Sequence, residues 1–406
     1  TDQTMGVGGY MEHARNYLDA DVQTAAISGK HFIGQHDLRW GAEWKREAFR
    51  DNRREWELRD SLGYNVPNSP EALRPVYNLL SRTAYSSNHF SLYLQDTYKF
   101  NCTLGIISVN AGVRVSYWDW NNEVIFSPRA SVGLIPDFNK DLTFRFATGV
   151  YYQTPFYKEM RDTTVIDGMA TVTLNKNIKS QRSIQLVLGC DYHFEMLGRP
   201  FKFTAEAYYK KLDNLIPYNL DNVRIVYYGE NCAKGHAAGI DLKLFGEFVP
   251  GTDSWVTFSV MDTKEQINGG KKIPRPTSSR YNASLYFTDY FPGTDKWKMS
   301  LQATYADGLP FGPPHTGREK HIFRAPAYKR VDIGMSYRLF DNEEETYRKG
   351  VRKYLKNIWL GIDAFNLLDI NNVNSYYWVS DVSNNNYAVP NYLTGRQINA
   401  RILIEM

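Results

Sequence analysis

The sequence predicts an all-β protein, a transmembrane antiparallel up-and-down β-barrel of which about 15 strands are present. Three observations lead to this fold class. Segments of about ten residues alternate apolar and polar side chains, short turns alternate with long connections along the chain, and aromatic residues are abundant. Aromatic residues make up 15% of the 406 residues, with 29 Tyr among them. Tyr and Trp suit a membrane–water interface, where the ring lies in the apolar layer and the polar tip stays in water.

The stretch Lys296–Tyr305 shows the alternation most clearly. Its apolar side chains fall on one side of an extended chain, namely Trp297, Met299, Leu301, Ala303 and Tyr305. Lys298, Ser300, Gln302 and Thr304 fall on the other side. A period of two residues indicates a β-strand with one apolar and one polar face.

The same pattern, bounded by turn residues, predicts the other strands in chain order. They are Leu18–Ser28, Gln35–Phe49, His89–Phe100, Ile106–Trp118, Val124–Ile135, Leu142–Gln153, Ser183–Phe194, Phe201–Leu212, Ala237–Phe248, Ser254–Lys264, Ser278–Phe287, Lys329–Phe340, Asn357–Asn366 and Gln397–Met406. Pro, Gly, Asp and Asn clusters predict short turns, as at Pro136–Asp141, Pro250–Asp253 and Pro292–Asp295.

The polar stretch Arg50–Ser86 is too polar to cross a membrane. We predict a large surface loop there, with an interdomain linker as the alternative. Long connections are also predicted at about residues 154–179, 213–234, 307–326 and 367–394.

If the last strand descends to the periplasm, every short turn falls on the periplasmic side and every long loop outside. A soluble β-sandwich, the alternative fold, has no reason to keep this order. The strand count is odd, whereas single-chain bacterial barrels have even numbers. We therefore expect the barrel to be completed by strands upstream of this sequence or by another polypeptide.

Composition excludes several other classes. The chain has 48 Lys and Arg against 44 Asp and Glu, well mixed, so no basic block predicts nucleic-acid binding. The sequence contains no run of about 18 apolar residues, which a transmembrane helix would need. The three cysteines have no metal spacing, and no nucleophile motif or phosphate-binding loop occurs. We expect no cofactor, no metal and no enzymatic activity. The first residues do not form a signal peptide, so we expect that one was cleaved or that the sequence is part of a longer chain.

Several short motifs, in this order and at these places relative to the strands, resemble the TonB-dependent outer-membrane receptors in the form common in Bacteroidetes. They are Q-D-T-Y (Gln95–Tyr98), A-G-V-R (Ala111–Arg114), S-P-R (Ser127–Arg129), Y-Y-Q-T-P-F-Y-K-E (Tyr151–Glu159), F-N-L-L-D (Phe365–Asp369) and Y-A-V-P-N-Y-L-T-G-R (Tyr387–Arg396). The resemblance implies that residues 1–406 are the C-terminal part of a 22-stranded barrel, with the plug domain and early strands absent. Met406 departs from the aromatic residue that usually ends such chains.

The resemblance also implies a function. The expected activity is import of a bulky, scarce solute such as a siderophore, heme, peptide or oligosaccharide across the outer membrane of a Gram-negative bacterium. The expected partners are outer-membrane lipid, the TonB–ExbB–ExbD complex acting through the plug, and the remaining strands. A surface lipoprotein would join them in the SusC-type glycan importers, a subgroup whose C-terminal pattern this chain lacks. The alternative function is a plugless porin-like barrel or a structural component of a surface complex.

Candidate ligand-contacting residues lie at the predicted outer end of a strand, in the predicted outer loop at 307–326 and in the last loop. They are Tyr151, Tyr152, Phe156, Tyr157, His315, His321, Tyr376, Tyr377 and Trp378. An interfacial aromatic girdle is the alternative for the first four, and solvated loop histidines for His315 and His321. The residues expected to face the lumen are Lys298, Gln302, Glu206 and Arg401. We expect Asn366 to satisfy loop backbone groups and Arg129 to face the lumen.

Overall fold

The fold is taken from a computed structural model. It describes residues 9–60, 77–166, 169–196, 198–221, 224–249, 252–291, 293–313, 317–320, 322–341, 355–380 and 385–405. No helix in these ranges is long and apolar enough to cross a membrane.

The described residues form antiparallel strands almost throughout. The strands are β1 (Gly9–Ile33), β2 (His36–Asp60), β3 (Tyr77–Cys102), β4 (Gly105–Trp118), β5 (Glu123–Pro136), β6 (Leu142–Gln153), β7 (Arg161–Ile166), β8 (Met169–Leu174), β9 (Gln181–Met196), β10 (Arg199–Leu215), β11 (Tyr218–Asp221), β12 (Arg224–Tyr227), β13 (Ala233–Val249), β14 (Thr252–Ile267), β15 (Lys272–Pro274), β16 (Tyr281–Tyr290), β17 (Trp297–Ala306), β18 (Pro310–Phe311), β19 (Phe323–Arg324), β20 (Tyr328–Asp341), β21 (Asn357–Phe365), β22 (Val373–Ser380), β23 (Asn386–Tyr392) and β24 (Gln397–Glu405). A 3₁₀ helix at Tyr157–Met160 precedes β7.

The long strands pair in chain order and form one continuous antiparallel meander. The order of neighbours is β1, β2, β3, β4, β5, β6, β9, β10, β13, β14, β16, β17, β20, β21 and β24. The remaining strands belong to the connections. The predicted all-β, up-and-down architecture is therefore confirmed.

The two outer strands of this meander each have one neighbour. β1 pairs with β2, and β24 pairs with β21, and no pairing joins β1 to β24 within the described ranges. All nine residues of β24 are exposed. The described sheet is thus open, with two backbone edges that carry unsatisfied hydrogen-bonding groups.

The register confirms the predicted faces. Lys298, Ser300 and Gln302 of β17 lie opposite Ser336, Gly334 and Asp332 of β20, whereas Leu301 lies between Phe287 and Ile333. In β10, Phe203 shares the apolar face and Glu206 the polar one. In β24, Ile398, Ala400, Ile402 and Ile404 share the apolar face, as predicted.

The antiparallel order places alternate connections at opposite edges of the sheet. One edge carries short turns, such as Gly34–Gln35, Thr103–Leu104 and 137–141. Gly34 and Gly105 adopt positive φ there, a conformation that most side chains disfavour. The other edge carries the longer connections with their own short strands, with the brief turn at 119–122 as its shortest member. This edge is called the long-loop edge below.

Some predicted boundaries are wrong. The first three strands are longer than predicted, since β2 continues to Asp60 and β3 begins at Tyr77, within the stretch predicted as a loop. The reason is that neither face of these extensions has to be apolar, so they lack the alternation that predicts the other strands. One face packs against a loop, as the buried side chains of Asp51, Glu55 and Tyr85 show, while the other is exposed to solvent. Residues 61–76 lie outside the described ranges.

Apolar rings mark both ends of the apolar face. Near the short-turn edge, Phe194, Phe201, Phe248 and Phe287 contact one another in sequence across β9, β10, β13 and β16, at centroid distances of 5.0 to 5.8 Å. Near the other edge, Trp44 donates a hydrogen bond from Nε1 to Asn88 Oδ1 (3.2 Å). Rings at two levels of the apolar face resemble the two aromatic girdles of a membrane barrel.

Candidate functional site

The connection between β6 and β9 folds back onto the outer ends of β3 and β4. Its side chains join those of β3, β4 and the connection after β10 in a buried cluster at the long-loop edge, formed by Tyr85, Trp118, Tyr157, Met160, Ile178 and Ile216. Phe49, Trp120, Leu174 and Tyr227 pack against it. The motif Tyr151–Glu159 therefore begins as a strand end and continues into a packed loop rather than an open one.

Tyr157 fastens this loop to β2. Its side chain is 3% exposed, and its hydroxyl donates a hydrogen bond to the carboxylate of Asp51. Arg161 Nη1 donates to the same Asp51 oxygen (3.1 Å), and its guanidinium lies 5.3 Å from the Tyr157 ring centroid. Burial, followed by the Asp51 carboxylate, raises the pKa of the Tyr157 hydroxyl, which keeps it protonated as a donor.

A second set of contacts joins three other connections around Glu265, at the end of β14. The Glu265 side chain is 1% exposed and forms ion pairs with Arg275 (3.3 Å) and Arg318. Arg318 also donates to the backbone carbonyl oxygens of Tyr218 (3.1 Å) and Pro274 (2.8 Å). One guanidinium thus holds segments 216–232, 268–280 and 307–327 together.

Asp307 forms a third junction, at the end of β17. It accepts hydrogen bonds from Arg280 Nε (2.6 Å) and Arg324 Nη1 (3.0 Å). Arg324 also donates to the carbonyl oxygens of Ser278 and Gly308. The hydrogen bond from Arg280 is the main reason that the pKa of Asp307 is lowered. The carboxylate is therefore ionised at neutral pH, as the junction requires.

An aromatic patch joins the last two long connections. We define it as Phe311, Phe323, Tyr376 and Trp378. The rings of Phe311 and Tyr376 are stacked, with centroids 4.0 Å apart and planes 8° from parallel. Trp378 lies 6.1 Å from Phe311 and 6.4 Å from Phe323. Phe323 is 50% exposed, so the patch offers ring surface to solvent.

The predicted ligand-contacting residues separate into different places. Tyr151 lies on the polar face of β6, where the Arg129 guanidinium lies 4.3 Å from its ring centroid. Tyr152 lies on the opposite, apolar face, in register with Arg182. Phe156 is 44% exposed, whereas Tyr157 is buried. Tyr157 therefore positions the loop and does not offer a surface to a ligand.

The last-loop candidates lie together on the β22–β23 hairpin. Tyr376 and Trp378 face the β18–β19 hairpin within the aromatic patch, while Tyr377 faces the other way and is 40% exposed. His315 and His321 lie outside the described residues.

The four wall residues lie on the polar face of the sheet. Lys298 and Gln302 occupy it in β17, with the Lys298 ammonium 5.6 Å from the Tyr290 ring centroid. Glu206 lies near Arg145 (4.0 Å), and Arg401 pairs with Asp363 (3.3 Å). A shallow recess on this face in β3–β5 is lined by Tyr93, Gln95, Arg114 and Arg129 among others.

Arg129 lies on the polar face of the sheet, and its position in the lumen stays a prediction. The expectation about Asn366 is confirmed. Asn366 is 3% exposed, and its side-chain amide bonds both the carbonyl oxygen and the amide nitrogen of Ile370 (3.0 and 3.1 Å). Its φ of +49° is one that Asn tolerates better than most residues.

Sequence reasoning missed the junctions at Glu265 and Asp307 and the two phenylalanines of the aromatic patch. Glu265 lies 53 residues from Arg318, and nothing in the local pattern of either segment pairs them. A weak signal existed for Phe311 and Phe323, since apolar rings in a Gly/Pro-rich loop need a packing partner.

The described residues contain no group of three or more His, Cys, Asp or Glu side chains suited to a metal ion. The long-loop edge instead offers exposed rings held by ion-paired loops. Such a surface is suited to binding a bulky solute.

The model of one protein family, the TonB-dependent receptor-like β-barrel, matches residues 2–373. A comparison with curated protein sequences gives no match.

Solved structures give the same architecture. The ferric-catecholate import receptor Fiu of Escherichia coli superposes with a TM-score of 0.62 at 14% identity, over 95% of this chain and 54% of Fiu. The ferric enterobactin receptor of Pseudomonas aeruginosa, a mutant in complex with enterobactin, gives 0.59 at 16% identity over 95% and 54%. The outer-membrane transporter YddB of Escherichia coli gives 0.60 at 13% identity over 96% and 54%. The chain thus spans about half the length of these receptors, and the likeness shows the fold.

Proposed function

The chain belongs to the TonB-dependent receptor β-barrel family, and from this membership we propose that it forms the C-terminal part of the barrel of an active importer. Barrels of this family lie in the outer membrane of Gram-negative bacteria, and so does this chain. The family consists of receptors and transporters, and the expected activity is import of a bulky, scarce solute through a plugged barrel.

The observation that carries the proposal is that the two faces of the sheet differ in polarity and that its long-loop edge carries packed connections. One face is apolar, the other is polar, and in the described part of the chain the long-loop edge carries long connections that pack internally. A porin-like barrel needs the two faces but has no need for loops tied by junctions such as those at Glu265 and Asp307. A receptor that captures a solute outside and releases it inward needs such a layer, because binding requires side chains held in place.

The open sheet supports the view that further strands complete the wall. Unpaired backbone groups in lipid cost several kcal/mol each. We propose that β1 and β24 are covered in the membrane by strands of a longer chain or of a second polypeptide, giving 22 strands in all. A plug would then contact the polar face, where Lys298, Gln302, Glu206 and Arg401 lie.

The solute is proposed by class only. The neighbours include receptors named for ferric enterobactin and ferric catecholates, so ferric catecholates come first. Heme, peptides and oligosaccharides remain in the same proposal. The aromatic patch, together with Tyr151, Phe156 and Tyr377, would supply contact surface, and a surface lipoprotein would be an additional partner.

Uptake by living cells tests this function. Cells that produce the receptor would be given radiolabelled ferric enterobactin, heme and maltoheptaose separately, with TonB present or deleted. We expect one of the three to accumulate only when both the receptor and TonB are present. Accumulation of any of the three without TonB, but dependent on this protein, would favour the porin-like alternative and overturn the proposal.

A further inference from the structure

The first three strands continue beyond the apolar band of the sheet. On the outward face, which also carries Leu92 and Leu94, the regular run of apolar positions ends at Ala25, Trp44 and Phe90, which share one register level. Farther out on this face, single apolar side chains such as Leu80 stand among polar and charged ones. The next level on this face contains Gln23, Arg46 and Asn88. The Trp44 ring bonds Asn88 across this step, as interfacial Trp residues do. This step marks the outer boundary of the membrane.

Beyond the boundary, five exposed arginines share the outward face. We define the arginine patch as Arg15, Arg46, Arg50, Arg54 and Arg82. Arg46, Arg50 and Arg54 follow one another at every fourth position of β2. Arg15 lies directly opposite Arg54. Arg82 lies opposite Asn52, between Arg50 and Arg54.

This arrangement concentrates positive charge. Like charges opposite each other on neighbouring strands are destabilising, and diagonal neighbours are only about 7–8 Å apart. Among the described residues no carboxylate forms an ion pair with any of the five, although Asp19 lies opposite Arg50 and Asp21 lies opposite Ala48, between the levels of Arg46 and Arg50. The sole side-chain partner shown for the patch is the Tyr17 hydroxyl, which accepts from Arg15 Nε (3.1 Å).

The inward face of the same ribbon is different. There Arg53 pairs with Glu55 (2.6 Å), and Asp51 pairs with Arg161 (3.1 Å). Arginines on the inward face, which a loop covers, are therefore neutralised by carboxylates. The five arginines on the exposed outward face are not. A charge pattern of this kind fits an anion supplied from outside the protein.

We propose that the arginine patch binds the phosphate groups of a phosphorylated glycolipid in the outer leaflet. Guanidinium groups bind phosphate oxygens in pairs, and the patch lies on the face that contacts lipid below the boundary. Arg46 lies about 7 Å along the strand above Trp44, and Arg54 about 33 Å above it. The phosphate of an ordinary phospholipid reaches only the first level. A glycolipid whose sugars also carry phosphate reaches the others.

This site is separate from the solute path, because it lies on the opposite face of the sheet. It does not depend on the proposed transport function. It assigns the long ribbon of β1–β3 a role in anchoring the surrounding lipid layer.

Binding of lipopolysaccharide to the purified full receptor in detergent tests the proposal. The probes are a rough lipopolysaccharide with phosphorylated core sugars, the same molecule after phosphatase treatment, and inorganic phosphate. The variant carries Arg50→Gln, Arg54→Gln and Arg82→Gln together. The control is Lys211→Gln, which removes an exposed cation on the same outward face of β10, away from the patch.

We expect phosphatase treatment and the triple variant each to weaken binding at least about tenfold, because charge-assisted hydrogen bonds are lost in both cases. The Lys211→Gln variant should bind like the wild type, and excess inorganic phosphate should not displace the lipid. Equal binding of the dephosphorylated lipid, unchanged binding by a folded triple variant, or displacement by inorganic phosphate would each overturn the proposal. If the triple variant does not fold, Arg82→Gln alone decides, with a smaller loss expected in the same comparison.

Discussion

The hydroxyl of Tyr157 donates a hydrogen bond to the carboxylate of Asp51, which joins residues 106 positions apart in the chain. This contact fastens the connection after β6 to the extended part of β2. Both side chains are buried, so if one of them is removed, neither water nor another residue easily takes its place as a hydrogen-bond partner.

Replacing Tyr157 by Phe should loosen this loop. The ring would still pack against Phe49, but Asp51 would lose one of its two donors, at a cost of about 2 kcal/mol. Hydrogen exchange of residues 154–180 should accelerate, while exchange in β16 and β17 should not change. Tyr377→Phe, in an exposed residue, serves as the control. Unchanged protection in Tyr157→Phe would show that the hydrogen bond does not hold the loop.

The same loop should respond to pH through Glu159. Burial raises the pKa of this carboxyl above its ordinary value, although the backbone amide of Phe156 and the side chain of Gln181 donate to it. Since the folded loop binds the proton more tightly than the open loop, the loop should be most stable below the ordinary pKa of Glu. It should lose stability as pH rises through the raised pKa.

Glu159→Gln should reduce this pH dependence and protect the loop at neutral pH. Hydrogen exchange of residues 154–180, measured at several pH values and corrected for intrinsic rates, provides the comparison. The same slope with pH in the variant and the wild type would exclude Glu159 as the responsible group.

The junction at Glu265 should be the costliest to break. Arg318→Gln would leave a carboxylate that is 1% exposed with Arg275 alone, at a cost of about 3 kcal/mol. Segments 216–232 and 268–280 should both become more sensitive to protease on intact cells. Combining it with Glu265→Gln should cost less than the sum of the two changes. Full additivity in this double-mutant cycle would mean that the two residues do not interact.

The two faces of β17 predict opposite tolerance. Leu301→Arg places a charge on the apolar face near the middle of the strand and should cost about 2–4 kcal/mol. Lys298→Ser, on the polar face, should have little effect. Heat-modifiability on a gel compares the folded fraction of each variant. Equal tolerance at both positions would argue against the assigned faces.

The aromatic patch should serve solute capture. The double variant Phe323→Ala and Trp378→Ala removes ring surface that faces solvent. The meander of long strands should still fold, because neither substitution lies in it. Solute binding should weaken by about thirtyfold or more, since aromatic contacts of this size that become buried on binding contribute about 1–2 kcal/mol each. Leu309→Ala, an exposed apolar side chain in the same connection, is the control. A wild-type affinity in the double variant would place the binding surface elsewhere.

The strands were predictable because, in a sheet with one face toward lipid, apolar and polar side chains must alternate along each strand. β6 was predicted with both ends correct, and β17 to within one residue. The extensions of β2 and β3 were not predicted, because their pattern has polar residues on both faces. The buried face there contains Asp51 and Glu55, which are neutralised by Arg161 and Arg53 and also accept hydrogen bonds from Tyr157 and Asn16.

The candidate site was only partly predictable for a related reason. Tyr376 and Trp378 were found from the composition of their loop, and the structure adds their stacking partner Phe311. Tyr151 and Tyr152 are adjacent in sequence, so their separation onto opposite faces follows from strand geometry alone. Contacts between connections, such as Arg318 with Glu265, depend on how the paired strands bring distant connections together at one edge of the sheet, and they leave no local pattern.

Labelling of single cysteines in intact cells tests most directly whether this sheet lies in the outer membrane with its long loops outside. After replacement of Cys102, Cys190 and Cys232 by Ser, one cysteine is placed at Tyr377 or at Phe138. Tyr377 lies in the last long connection, and Phe138, which is 81% exposed, lies in a short turn. A membrane-impermeant maleimide should label Tyr377→Cys in intact cells and Phe138→Cys only after the outer membrane is permeabilised. Labelling of Phe138→Cys in intact cells, or protection of Tyr377→Cys there, would contradict this orientation.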